Sequence, residues 1–219
     1  MASATLDMVV ERVRADTSVI LPSEAADLRT LATPSALRPA VASLREARVD
    51  VIAYASTTSG YAIGQAGELN LVKRLRHLAG VPVVTSGLAA TQALKTFGVR
   101  RVTLVHPPWF DAAMGDLGAR YFRDHDVVTL TATPLPKHPD QVRPEQVIDY
   151  VSDHVDASTE AVFIAGNGFR AAGAIEELER RTGHLVLEAN QVLLWSILAA
   201  TGTNIQVDGY GRLFCVAPL

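Results

Sequence analysis

One pattern occurs twice in this chain, and it limits the folds open to it more than any other feature. The first copy runs Asp50-Val-Ile-Ala-Tyr-Ala-Ser-Thr-Thr-Ser-Gly60, then a helical stretch, then Gly80-Val-Pro-Val-Val-Thr-Ser-Gly87 and a helix ending near Gly98. The second runs Glu160-Ala-Val-Phe-Ile-Ala-Gly-Asn-Gly168, then another helical stretch, then Gly183-His-Leu-Val-Leu-Glu-Ala-Asn190 and a helix ending near Gly202. Each copy is strand, small-residue turn, helix, strand, small polar turn, helix. Strands that alternate with helices imply mostly parallel sheets joined by right-handed crossovers. The expected fold is α/β, with two pseudo-symmetric lobes. Each lobe is a short, mostly parallel sheet flanked by helices, and the site lies in the cleft between them. The lobes are expected to comprise residues 1–110 with 195–219, and residues 111–194.

Strand signals are short runs rich in valine and isoleucine at Thr17–Leu21, Val49–Ala55, Val81–Thr85, Arg101–Val105, Val127–Thr131, Ala161–Ala165 and His184–Leu187. Helical periodicity fills the gaps. Leu37, Val41 and Leu44 form one stripe, and Leu69, Val72, Leu75 and Leu78 another. Val147, Ile148 and Val151 form a third, and Ala171, Ala172, Ile175 and Leu178 a fourth. Ser35 reads as an N-cap. Glu176–Arg180 and Glu177–Arg181 read as i,i+4 ion pairs. Gly80, Gly98, Gly183 and Gly202 stand where helices stop. The proline-rich stretch Thr131–Asp140 is expected to cross between lobes or cover one.

Composition excludes several classes. A net charge of −3 over 219 residues gives no reason to expect nucleic acid. The densest basic group, Lys73-Arg74-Leu75-Arg76-His77, fits a solvated helix face. With Cys215 as the single cysteine, no internal disulfide and no cysteine-based zinc site is possible. Apolar runs are too short for a bilayer. A cytoplasmic location and no membrane contact are expected.

In open parallel sheets, ligands bind beyond the carboxyl ends of the strands. Four turns there carry chemistry. Ser56-Thr57-Thr58-Ser59-Gly60 offers four hydroxyls and the start of a helix, which suits a carboxylate or other oxyanion. A capping turn without ligand is the alternative. Gly166-Asn167-Gly168 would let a ligand approach the backbone, or be a plain tight turn. Thr85-Ser86-Gly87 corresponds in the repeat to Glu188-Ala189-Asn190; Ser86 and Asn190 suit helix capping, and Glu188 suits a helix-dipole partner better than a base. His106, at the end of a core strand beside Trp109 and Phe110, is the histidine best placed for proton transfer near neutrality.

At these turns the chain resembles the maleate cis–trans isomerase and arylmalonate decarboxylase branch of the aspartate/glutamate racemase superfamily. The resemblance spans roughly residues 10–205. It rests on Tyr54-Ala-Ser-Thr-Thr-Ser-Gly60, Val83-Val-Thr-Ser, Phe163-Ile-Ala-Gly-Asn-Gly-Phe-Arg170, and Ala189-Asn-Gln191 with Trp195. It implies two lobes around the site, chemistry without metal or cofactor, and a small carboxylic or dicarboxylic acid as substrate. The family uses one or two cysteines as acid, base or nucleophile, and these positions match Ser56 and Gly166. Pro108 stands near a carboxylate-binding tyrosine of the family. The glycine-rich strand that opens family members has no counterpart in this sequence; either the lobe lacks it or the natural start lies upstream, and a missing strand would bare a sheet edge and favour a homo-oligomer. The expected function is decarboxylase- or isomerase-like. Ser56 and His106 would transfer protons, and Thr57, Thr58, Ser59, Gly166, Asn167, Gly168 and Asn190 would hold substrate oxygens. The alternatives are a catalytically silent carboxylate-binding relative, or a biosynthetic enzyme repurposed on the same scaffold.

Overall fold

A computed structural model describes residues 24–135, 142–205 and 207–216. Its elements are α1 (Ala25–Leu31), α2 (Pro34–Glu46), β1 (Ile52–Tyr54), α3 (Thr57–Ala79), β2 (Val83–Thr85), α4 (Ser86–Thr96), β3 (Arg101–His106) and α5 (Ala112–Arg123). There follow β4 (Val128–Pro134), α6 (Pro144–His154), β5 (Ala161–Ile164), a 3-10 turn (Ala172–Ala174), α7 (Ile175–Thr182), β6 (Leu185–Glu188), α8 (Ala189–Thr201) and a second 3-10 turn (Arg212–Cys215). The expected strand Thr17–Leu21 lies outside the described residues.

The strands form two parallel sheets, of order β1-β2 and β4-β3-β5-β6. The repeat is visible in the pairing. β1 lies beside β2, with Tyr54 opposite Thr85, and β5 lies beside β6, with Ile164 opposite Glu188. Both first-strand ends thus deliver their turns next to a second-strand end. β3, on the first-lobe side of the boundary expected at residue 110, is hydrogen-bonded into the four-stranded sheet. α8 packs against α4 and β2.

Side chains alternate across the four-stranded sheet, as the two-residue strand period requires. Ala161, Phe163, Leu185 and Leu187 enter one buried cluster with Tyr61, Phe122 and Trp195. Val162, Ile164 and Val186 enter another with Val147, Val151 and Leu178. Both faces of the sheet are covered, which is why its strands read as continuous apolar runs. A third cluster joins α2 and α3 to β1 and β2.

Several local expectations change. The N-cap of α2 is Thr33, whose Oγ1 accepts from Ala36 N–H at 3.3 Å. Pro34 causes this, because it has no N–H to donate and suits the first helical position. Leu69 is 52% exposed. The buried face of α3 runs through Glu68, Leu71 and Leu75, and a glutamate in that stripe disguises it. β4 continues to Pro134, which an edge strand tolerates. Arg180 pairs with Glu177 at 2.6 Å, one position away from the expected Glu176, while Arg181–Glu177 forms as expected at 2.7 Å. Gly80, Gly183 and Gly202 are left-handed C-caps, and Gly98 follows the C-cap Phe97.

Thr33→Ala should lower stability by about 1 kcal/mol while Ser35→Ala changes little. Urea denaturation of the two variants checks this; equal losses would contradict the assignment of the cap.

Candidate active site

The first turn starts a helix. Ser56 is extended and N-caps α3, accepting the Ser59 N–H at 3.2 Å through its Oγ. Its own hydroxyl donates to Ser59 Oγ at 2.8 Å, and Tyr54 Oη donates to the same Ser59 Oγ at 2.9 Å. Thr58 Oγ1 lies 3.3 Å from Ser56 Oγ. Thr57 and Ser59 are buried, whereas Ser56 and Thr58 are half-buried. The four hydroxyls are therefore one linked group with two members at its outer side.

The second turn is pinned to the first. Thr57 N–H donates to Asn167 Oδ1 at 3.1 Å, and Gly166 N–H donates to Thr57 Oγ1 at 3.2 Å. Asn167 Nδ2 donates to Asn190 Oδ1 at 3.1 Å, and Asn190 Nδ2 donates to the Asn167 carbonyl at 3.2 Å. Gly166 takes a φ of 95°, and a Cβ there would stand 2.9 Å from Pro107 Cγ. A side chain at this position is excluded on both grounds. Thus Ser56, Thr57, Thr58, Ser59, Gly166, Asn167 and Asn190 come together, with the exposed Gly168 at the rim of the same turn.

His106 does not join them. Its ring is 1% exposed, set edge-on to Tyr61 and tilted against Phe110 with a centroid separation of 5.2 Å. Burial holds its pKa down at about 4, and its Nε2 has no hydrogen-bond partner among the described residues. His106 does end β3 as expected, but the strand alternation turns this side chain into the core instead of the cleft. Trp109 packs edge-on to Phe169.

Two buried glutamates complete the arrangement. Glu188 N-caps α8 and is fully buried. Its Oε2 accepts from the N–H groups of Asn190 and Gln191 at 2.9 and 3.0 Å, and its Oε1 accepts from Asn190 Nδ2 at 2.9 Å. This is the helix-dipole role, and it also orients Asn190 toward Asn167. Burial raises the Glu188 pKa to about 7. In the first half the cap comes from another helix. Glu68 of α3, 1% exposed, meets the start of α4, where the N–H groups of Leu88 and Gly87 act on its carboxylate. Tyr121 donates a hydrogen bond to Glu68 Oε2. Thr85 Oγ1 stands beside the carboxylate but outside good hydrogen-bond geometry. Burial raises the Glu68 carboxyl above its ordinary range. The expected Ser86 cap is replaced by this carboxylate. A Cβ on Gly87 would lie 2.6 Å from Tyr121 Oη and 2.7 Å from Glu68 Oε2, so glycine is required for the approach. Each half therefore places a buried carboxylate of its own at its second helix start. Neither Glu68 nor Tyr121 stands out in the sequence, where the one available signal is a glutamate inside an apolar stripe.

Residues 35–214 match a family model described as arylmalonate decarboxylase. The chain belongs to the arylmalonate decarboxylase family. The arylmalonate decarboxylase of Bordetella bronchiseptica is 25% identical over 171 residues, 75% of this chain and 70% of that protein. Among solved structures, the Gly74Cys mutant of arylmalonate decarboxylase in a sulfate-associated form superposes with a TM-score of 0.79 at 21% identity, covering 91% of this chain and 85% of that one. A maleate isomerase from Pseudomonas putida S16 superposes with a TM-score of 0.80 at 21% identity, covering 87% and 79%. The family resemblance legible at the turns is thereby confirmed over the chain, as is the α/β fold with parallel sheets. Neither turn carries a cysteine.

Two measurements test the buried glutamates. The raised Glu188 pKa means the folded state holds more protons than the unfolded one between about pH 4.5 and 7. Its contribution to stability therefore falls as pH rises through that window, where each tenfold difference in proton affinity between the two states is worth about 1.4 kcal/mol. Glu68 acts in the same direction, and His106 acts oppositely below its ordinary value. Glu188→Gln should flatten only its own share, which the difference between variant and wild-type urea curves at about pH 5 and 7.5 will show. Gly87→Ala should cost about 1–3 kcal/mol by overpacking the Glu68–Tyr121 pair, read as a drop in Tm.

Proposed function

We propose that this family member is a cofactor-independent enzyme of decarboxylase type acting on a small malonate-like acid. The observation that carries the reading is the contact between turns 110 positions apart. Asn167 Oδ1, a neutral oxygen acceptor, sits on the Thr57 N–H at the start of α3. A ligand carboxylate is a stronger acceptor for that donor and for the helix dipole. It would displace the amide oxygen and be held by Thr57, Thr58 and the Gly166–Gly168 turn. Asn190 steers Asn167, so it adjusts this exchange without touching substrate.

Decarboxylation suits the available groups better than isomerisation through two thiols. Loss of CO2 leaves an electron pair on carbon that must be delocalised into the remaining carboxylate. The backbone donors of the two turns stabilise that charge. One proton then completes the product, and Ser56 Oγ is the hydroxyl at the outer side of the first turn. Buried His106 supports the wall behind the site in this reading and exchanges no proton with substrate.

A binding-only role is the second reading, favoured by the satisfaction of Thr57 N–H and Gly166 N–H within the chain itself. The two separate cleanly. Wild-type protein incubated with phenylmalonate should release CO2, and Ser56→Ala should reduce kcat roughly 100-fold. A ligand that raises Tm but is recovered unchanged supports binding alone. Absence of turnover on both malonate-type and maleate-type acids would sink the enzymatic reading.

A further inference from the structure

A serine that gives its proton to carbon is left as an alkoxide, and a serine alkoxide is too basic to persist without a partner. The hydroxyl group around Ser56 contains such a partner. Ser59 Oγ accepts from both Ser56 Oγ, at 2.8 Å, and Tyr54 Oη, at 2.9 Å. In this geometry Ser59 Oγ is the acceptor of both bonds, so its own proton must reorient before it can be given to a neighbour that has lost its own. Ser59 is 1% exposed, so water does not compete for this bridge. Tyr54 ends β1, is half-buried, and places its Oη in this hydroxyl group. A phenol is a far stronger acid than an aliphatic alcohol.

We infer that Tyr54 is the proton reservoir for Ser56, acting through Ser59 as a three-hydroxyl relay. The inference rests on the proposed decarboxylase reading. In the step, the C–C bond to one carboxylate breaks and CO2 leaves with no electron from that bond. The pair enters the remaining carboxylate as an ene-diolate. The Ser56 O–H bond breaks as the new C–H bond forms. Ser59 Oγ–H turns toward the Ser56 alkoxide, reversing the resting bond, and passes its proton to it; Tyr54 passes its proton to Ser59, and solvent returns one proton to the Tyr54 phenolate. The net change is one CO2 lost and one solvent proton gained. Burial also keeps the Tyr54 phenol above its ordinary value, so the reservoir is loaded throughout the neutral range. Tyr54 is a positioning and proton-supplying group that never touches substrate.

The test uses the full chain with phenylmalonate. Tyr54→Phe should lower kcat roughly 100-fold, the lower end of a single acid–base contribution, with KM within about twofold. Mixed H2O/D2O rates should give a curved proton inventory for wild type and a straight one for Tyr54→Phe, which a merely structural loss would not produce. A kcat within about twofold of wild type with an unchanged inventory would overturn the relay. Absence of CO2 release by wild type is a different result, and it overturns the decarboxylase reading beneath. If Tyr54→Phe does not fold, 3-fluorotyrosine at position 54 keeps the hydroxyl and makes it more acidic. The alkaline limb of kcat should then move to lower pH, and an unmoved limb overturns the relay.

Discussion

The reciprocal bonds between Thr57 and the Gly166-Asn167 turn are the contact on which the site depends. Thr57 gives its backbone N–H to Asn167 and takes the Gly166 N–H on its hydroxyl. One residue thus spends both a donor and an acceptor on a turn 109–110 positions away. Without this pair, the start of α3 and the end of β5 would be two separate capping turns. With it, they form one array of hydroxyl and amide groups whose spacing is set by rigid elements on either side. The positive φ of Gly166 allows Pro107 to close against the turn, which ties β3 to the same array.

The two buried glutamates explain why the array has two sides and not four. In each half, the second helix start already has a carboxylate: Glu68 for α4 and Glu188 for α8. A buried helix N-terminus attracts an anion, and an internal one removes the opportunity for an external one. The repeat thus extends to the way each second helix start is capped. Turns at α4 and α8 are closed and hold the frame, while turns at α3 and β5 face each other. Glu188 adds a second task, because Asn190 hangs from it and in turn grips Asn167. These carboxylates cost stability through desolvation and are retained where hydrogen bonds from helix ends offset that cost.

The missing thiols take on a different meaning in this frame. The first turn carries a linked set of hydroxyls in which Ser56 is the outer member and Tyr54 the most acidic one. A single proton donor backed by a phenol is compatible with a reaction that needs one proton. It does not supply the two opposed groups that a thiol-pair isomerisation needs. The proposed chemistry follows from that count together with the oxygen-binding array, and not from fold alone.

Much of the fold is legible in the chain. Apolar runs locate the six described strands, because both faces of the main sheet are covered and its strand residues had to be largely apolar. Glycines locate the helix ends, because left-handed caps favour them. The turns at Ser56 and Gly166 are legible because small and hydroxylic residues at strand ends have few other uses. Three things were decided only by tertiary structure. Periodicity could not say which way His106 faces, since a strand with both sides buried has no polar side to orient it. It could not reveal Glu68, since its partners Tyr121 and Gly87 come from other elements. Nor could it show Asn167 lying on the Thr57 N–H, because that bond exists only when two distant strands end side by side. Local sequence determined the elements and the polar turns, whose preferences are local. The assignment of each buried polar group was left to packing, because burial and hydrogen-bond partners arise between segments.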